Sequence, residues 1–84
     1  MKSYTKPSVN EGTWYTVAGS YTHKGEDIDI KRQYIRPYDI DHFAIYISGK
    51  RQRPTYFGET AHCDVARAYN DLVPWQYHVD GMNL

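Results

Sequence analysis

The sequence predicts an α+β domain: a three- or four-stranded antiparallel sheet with one α-helix packed on one face. Three observations predict it. The run "DIDIKRQYI" alternates apolar and polar residues with the period of a half-buried strand, and "HFAIYIS" does so again. The run "TAHCDVARAYNDLV" then switches to the spacing of an amphipathic helix. A chain of 84 residues has room for one such domain, since at this size folding buries only about 60 to 65% of the unfolded surface.

Residues 1–12 read as a flexible lead-in closing on the turn signal "NEG", which leaves 13–84 as the domain. "TWYTVAGSY", residues 13–21, is rich in strand formers, and "HKGED" after it carries a glycine where a hairpin would turn. In the second run Ile28 and Ile30 point one way while Asp27, Asp29 and Lys31 point the other; Pro37 and "YDID" break it. In the third, Phe43, Ile45 and Ile47 share one face, and His42, Ala44, Tyr46 and Ser48 share the other. Three large apolar side chains in register make the first face the core side.

"GKRQRP" reads as a basic turn, and "TYFGE" as a short last strand that Pro54 can begin without losing a ladder bond. Thr60 is placed to cap the first N–H groups of the helix, and Asp64 lies in the first turn, where the dipole favours it. Ala61, Val65, Ala68, Tyr69 and Leu72 draw the apolar stripe, and Pro74 ends the helix. The tail, "WQYHVDGMNL", is left between adding an edge segment and packing Trp75 against the core.

Ten Lys and Arg balance ten Asp and Glu, so no global field draws the protein to nucleic acid or to an anionic membrane. A single cysteine, Cys63, excludes an internal disulfide and fits a reducing, cytoplasmic setting. The longest tight apolar run is "FAIYI", so neither a signal peptide nor a membrane span is expected. Nine tyrosines and two tryptophans exceed what so small a core uses. They read either as exposed interface rings or as the ordinary preference of sheets for tyrosine.

Enzymatic chemistry finds little support. His62 and Cys63 are helix neighbours about 100° apart and cannot grip one ion together, and His23, His42 and His78 show no ligand spacing. Cys63 sits near a helix N-terminus beside His62 but has no glycine-framed elbow, so it reads as a packed residue rather than a nucleophile. No glycine cluster precedes a helix to cradle phosphate, and the carboxylates of "EDID" and "DID" fall at strand edges or turns. No metal, cofactor or catalytic residue is expected.

The basic residues are more informative. Lys31, Arg32 and Arg36 come from the second run, and Lys50, Arg51 and Arg53 from the turn after the third. If these ends approach one another, they form a local positive zone beside Gln33, His42, Tyr46 and Tyr56 on the open sheet face, a footprint for phosphate contacts with polar side chains reaching base edges.

From "QYIRPYDIDHFAIYISGKRQRPTYFGETAHCDVARAYNDLV" the chain resembles the APETALA/ethylene-response DNA-binding domain, which also occurs in phage homing endonucleases. The resemblance rests on Ile35 and Arg36, on Phe43, Ile45 and Ile47, on Gly49–Lys50, Phe57–Gly58 and Thr60, and on "ARAYN" from Ala66 to Asn70. Phe43 stands where the family has a tryptophan, and one residue is missing between Gly58 and the helix. The resemblance implies a three-stranded sheet entering the DNA major groove with a helix behind it, an outline shared by integrase arm-binding domains. A second, shorter resemblance is to GIY-YIG nucleases, through "AIY" at 44–46, "YFG" at 56–58 and Arg67. It would carry over Tyr46, Tyr56 and Arg67, but no glutamate follows Glu59 to bind the metal that such nucleases need.

The expectation is therefore a small non-enzymatic binding module with duplex DNA as its leading partner. Arg32, Arg36, Lys50, Arg51 and Arg53 are the phosphate anchors, and Tyr46 and Gln33 the base-side or sugar contacts. The alternative is a protein-binding module, such as a phage-encoded inhibitor or regulator of a host protein, anchored by aromatic residues and arginine.

Overall fold

Two tight turns shape the sheet. Lys24–Gly25 (φ 53° and 82°) and Ser48–Gly49 (φ 52° and 80°) each join residues that stand directly opposite each other, His23 with Glu26 and Ile47 with Lys50. Positive φ at both central positions is what a two-residue hairpin needs to match strand twist, and glycine tolerates it without cost. The structure, a computed structural model, describes residues 10–11, 13–36 and 40–84, with side chains described for 13–19, 21–34 and 40–84.

Among the described residues six strands form one antiparallel sheet: β1 (Asn10–Glu11), β2 (Tyr15–His23), β3 (Glu26–Arg36), β4 (Ile40–Ile47), β5 (Lys50–Arg51) and β6 (Tyr56–Phe57). One helix follows, α1 (Ala61–Asn70), and then two short 3-10 turns at Trp75–Tyr77 and Gly81–Asn83. The α+β class and the antiparallel sheet agree with the sequence; the sheet has more strands than expected. It is only four rows wide, because β1 and β2 lie in line along β3 while β5 and β6 lie in line along β4. Between β5 and β6, Pro54 has no N–H to offer a ladder, so that outer row is split. Lys50 and Arg51, read as part of a turn, are strand residues. Of the expected lead-in, residues 1–9 and 12 lie outside the described residues, as do Pro37–Asp39.

The core joins Ile28, Ile30, Phe43 and Ile45 of the sheet to Ala61, Val65 and Tyr69 of α1 and to Val73 beyond it. Ile47 is only partly buried against them. Tyr69 is fully buried, and its hydroxyl donates to the Ile28 carbonyl at 3.2 Å. There β2 bulges: its register against β3 shifts between Ala18 and Tyr21, and Gly19 (φ 93°) lies within the shift. A Cβ on Gly19 would come within 2.9 Å of both Asp29 Cα and Tyr69 Oη, so glycine is required there by contact as well as by φ.

Three helix expectations are corrected. Thr60 makes no side-chain cap bond to the backbone; its hydroxyl donates instead to Asp64 Oδ2 at 3.1 Å. The helix ends at Asn70, before Pro74, so Leu72 leaves the stripe and is half exposed. Ala66, off the expected stripe, is buried because Gly81 of the tail sits against it: a Cβ on Gly81 would lie 3.2 Å from Ala66 Cβ. The tail is also pinned by Asn70, whose amide donates to the Val79 carbonyl at 3.0 Å and accepts from the Val79 N–H at 2.8 Å. Val79 and Leu84 pack on the core, whereas Trp75 is 76% exposed, so the tail adds neither an edge strand nor a buried tryptophan.

Candidate binding face

Register decides which side chains share a face, since residues directly opposite in an antiparallel pair project to the same side. Asp29 faces Tyr46, Lys31 faces Ala44, and Gln33 faces His42. Thr16 lies opposite Lys31, Arg51 opposite Tyr46, and Phe57 opposite His42. These residues alternate with the core set and form the sheet face turned away from α1. Trp14 completes it, with its ring 4.8 Å from His42 and 5.8 Å from Tyr46, spanning the strand position between them. That lid explains why Ala44 is fully buried although it points away from the helix.

His42 also stacks on Phe57, at 4.7 Å and 24° between planes, so Tyr46, Trp14, His42 and Phe57 form a continuous run of rings across the face. The Arg51 guanidinium lies 5.4 Å from the Trp14 ring, and Lys31 Nζ lies 5.2 Å from the Tyr46 ring, both in cation–π range. Gln33 is buried beneath, its Oε1 3.0 Å from His42 Nδ1.

The expected positive zone is only partly assembled. Lys31 is on the face but is neutralised: it pairs with Asp29 at 3.2 Å and donates to Thr16 Oγ1 at 2.7 Å, while Thr16 donates to Asp29 at 2.8 Å. Arg32 is on the other side, opposite Phe43, where its Nε donates to Asp41 at 3.0 Å. Arg36 stands opposite Asn10, seven residues along β3 from the Asp29 that faces Tyr46, or about 23 Å at the usual strand rise. The basic end of β3 therefore does not approach β5.

Tyr56 is likewise corrected. It stands opposite Phe43 and packs on the core, so the ring that belongs to the open face is its neighbour Phe57. Lys50 lies opposite Ile47 at the exposed outer row. Arg51 and Arg53 are exposed, and among the described residues neither they nor Lys50 form an ion pair. Lys31, its charge paired, and Gln33, His42, Tyr46, Arg51 and Arg53 are thus the expected residues that the fold does bring together around this face.

Beside the rings runs a groove of about 690 Å³. Arg51, Arg53, Pro54 and Thr55 make one wall, Phe57 the other, and the less exposed Gln33 and His42 the floor. Sequence reasoning missed Trp14 and Phe57. For Trp14 a signal existed, because it alternates with Thr16 across Tyr15 and so shares the polar side of that strand. For Phe57 none existed, because a two-residue strand has no alternation to read.

Among the described residues no three His, Cys, Asp or Glu side chains converge to hold a metal, and no helix is long and apolar enough to cross a membrane. Compared with known proteins, the chain matches no family model, no curated protein and no solved structure.

Proposed function

We propose that this protein is a small non-enzymatic binding module that engages nucleic acid through the sheet face turned away from α1. The observation that carries the reading is the co-location of Arg51 and Arg53, exposed and without carboxylate partners among the described residues, with the ring run and the polar Gln33–His42 pair. Guanidinium groups suit phosphate, and the adjoining aromatic and amide groups suit sugar and base. Arg51 and Arg53 are the phosphate anchors of this proposal; Lys50 drops out because it lies opposite Ile47 on the helix side, and Arg32 because it lies on that side paired with Asp41. The resemblance of residues 33–73 to a DNA-reading sheet domain supports the same partner.

A second reading has its own observation. With Lys31 neutralised and Arg32 on the other side, rings dominate the face, which is the composition of a protein interface anchored on aromatics and arginine. Fluorescence anisotropy with random DNA, both duplex and single-stranded, at about 50 mM and about 200 mM salt, separates the two. Saturable binding that weakens with salt and is lost in Arg51→Ala/Arg53→Ala supports the DNA reading. Absence of binding at both salts sinks it and leaves the protein-binding reading.

A further inference from the structure

We infer that the groove between Phe57 and the Arg51–Thr55 segment is a nucleotide subsite, which takes one unstacked base of a single-stranded segment on the Phe57 ring and the adjoining phosphate on Arg51 and Arg53. The inference rests on the nucleic-acid reading above and specifies which form of nucleic acid the face grips.

Three features lead to it. Phe57 is 62% exposed although it is a phenylalanine; its ring stacks on His42 and lines the groove. Inside a duplex, base faces are covered by their neighbours, so a ring presented this way has a partner only when a base is unstacked. Second, the groove is concave and, at about 690 Å³, within the size range of small-ligand sites, about 300 to 1,000 Å³. Entering the major groove would call for the opposite shape, a convex row of projecting polar side chains. Third, the groove is lined both by polar side chains suited to a base edge and by cations suited to phosphate. Gln33 and His42 are the less exposed lining residues, where a base edge would reach, and Arg51 and Arg53 are the exposed ones, where a backbone phosphate would pass. Arg51 is held by the Trp14 ring rather than by a carboxylate, so its charge stays available.

The test measures, at one salt concentration, the binding of a fluorescein-labelled twelve-nucleotide single strand of mixed sequence and of the duplex made from it. The single strand is expected to bind tighter than the duplex. Phe57→Leu is expected to lower single-strand affinity by about five- to 150-fold, the worth of one base–aromatic stack, and to lower duplex affinity by much less. Phe57→Tyr, which keeps the ring, is expected to restore it. Since Phe57 is largely exposed, thermal unfolding of both variants should match the parent. Equal affinity for the two forms, or single-strand binding indifferent to Phe57→Leu while Arg51→Ala/Arg53→Ala weakens both, would overturn the subsite and leave the nucleic-acid reading standing. Failure of both forms to bind removes that reading itself, and the subsite with it.

Discussion

Tyr69 of α1 and Gly19 of β2 meet beside Asp29 of β3. The Tyr69 ring fills the core and its hydroxyl satisfies the Ile28 carbonyl beside the β2 bulge, while Gly19 gives the backbone the positive φ that the bulge uses. Removing the hydroxyl leaves a buried acceptor short of its donor, so Tyr69→Phe is expected to lower stability by about 1 to 3 kcal/mol, read as the urea midpoint at unchanged slope. Gly19→Ala adds both a disfavoured φ and a methyl carbon 2.9 Å from Asp29 Cα, a backbone atom that cannot swing aside. A loss on the order of 3 kcal/mol is expected for it. Because Tyr69 Oη is the other atom that the new methyl meets, the double variant should lose less than the sum of the two. Strict additivity would show that the bulge and the hydroxyl do not press on each other.

At the scale of elements, the helix and the tail form one unit through Asn70 and Gly81. The Asn70 amide answers both the N–H and the C=O of Val79. Asn70→Asp keeps an acceptor for the N–H but turns a carboxylate oxygen toward the carbonyl, and should detach the tail. Amide exchange in residues 75–84 is expected to quicken while β3 and β4 stay protected; uniform change through the whole sheet would refute local detachment. This unit also marks where sequence reading stops. The strands on either side of the core, the hairpin glycine and most of the helix stripe follow from local periodicity, which is why they are legible in Ile28, Ile30, Phe43, Ile45 and Val65. Ala66 is buried by a segment fifteen residues later, and Leu72 is exposed because α1 ends early, neither of which periodicity records. The binding face depends on register across strands: one position decides between Tyr56 and Phe57, and parity along β3 sends Arg32 to the helix side and Lys31 to the open side.

For the whole molecule, a net charge of zero means that attraction to phosphate is set locally, by where the cations without a carboxylate partner stand. Under the proposed function, Arg51 and Arg53 are the cations left to meet phosphate, and two contacts predict a slope of log K against log salt of about −1.8 for duplex DNA. The five anchors expected from sequence would give about −4.5. Two single substitutions test that local control directly, because each raises net charge by one. Asp29→Asn frees Lys31, which lies on the open face beside Tyr46, so affinity should rise and the slope should steepen by about 0.9. Asp41→Asn frees Arg32, which lies on the helix side opposite Phe43, and should leave the slope where it was. Equal responses from the two would mean that overall charge governs binding and that the open face has no special part in it. A response to Asp29→Asn alone would tie binding to the face that Trp14, His42 and Phe57 line, since the two variants differ in where the released cation stands and not in how much charge they release.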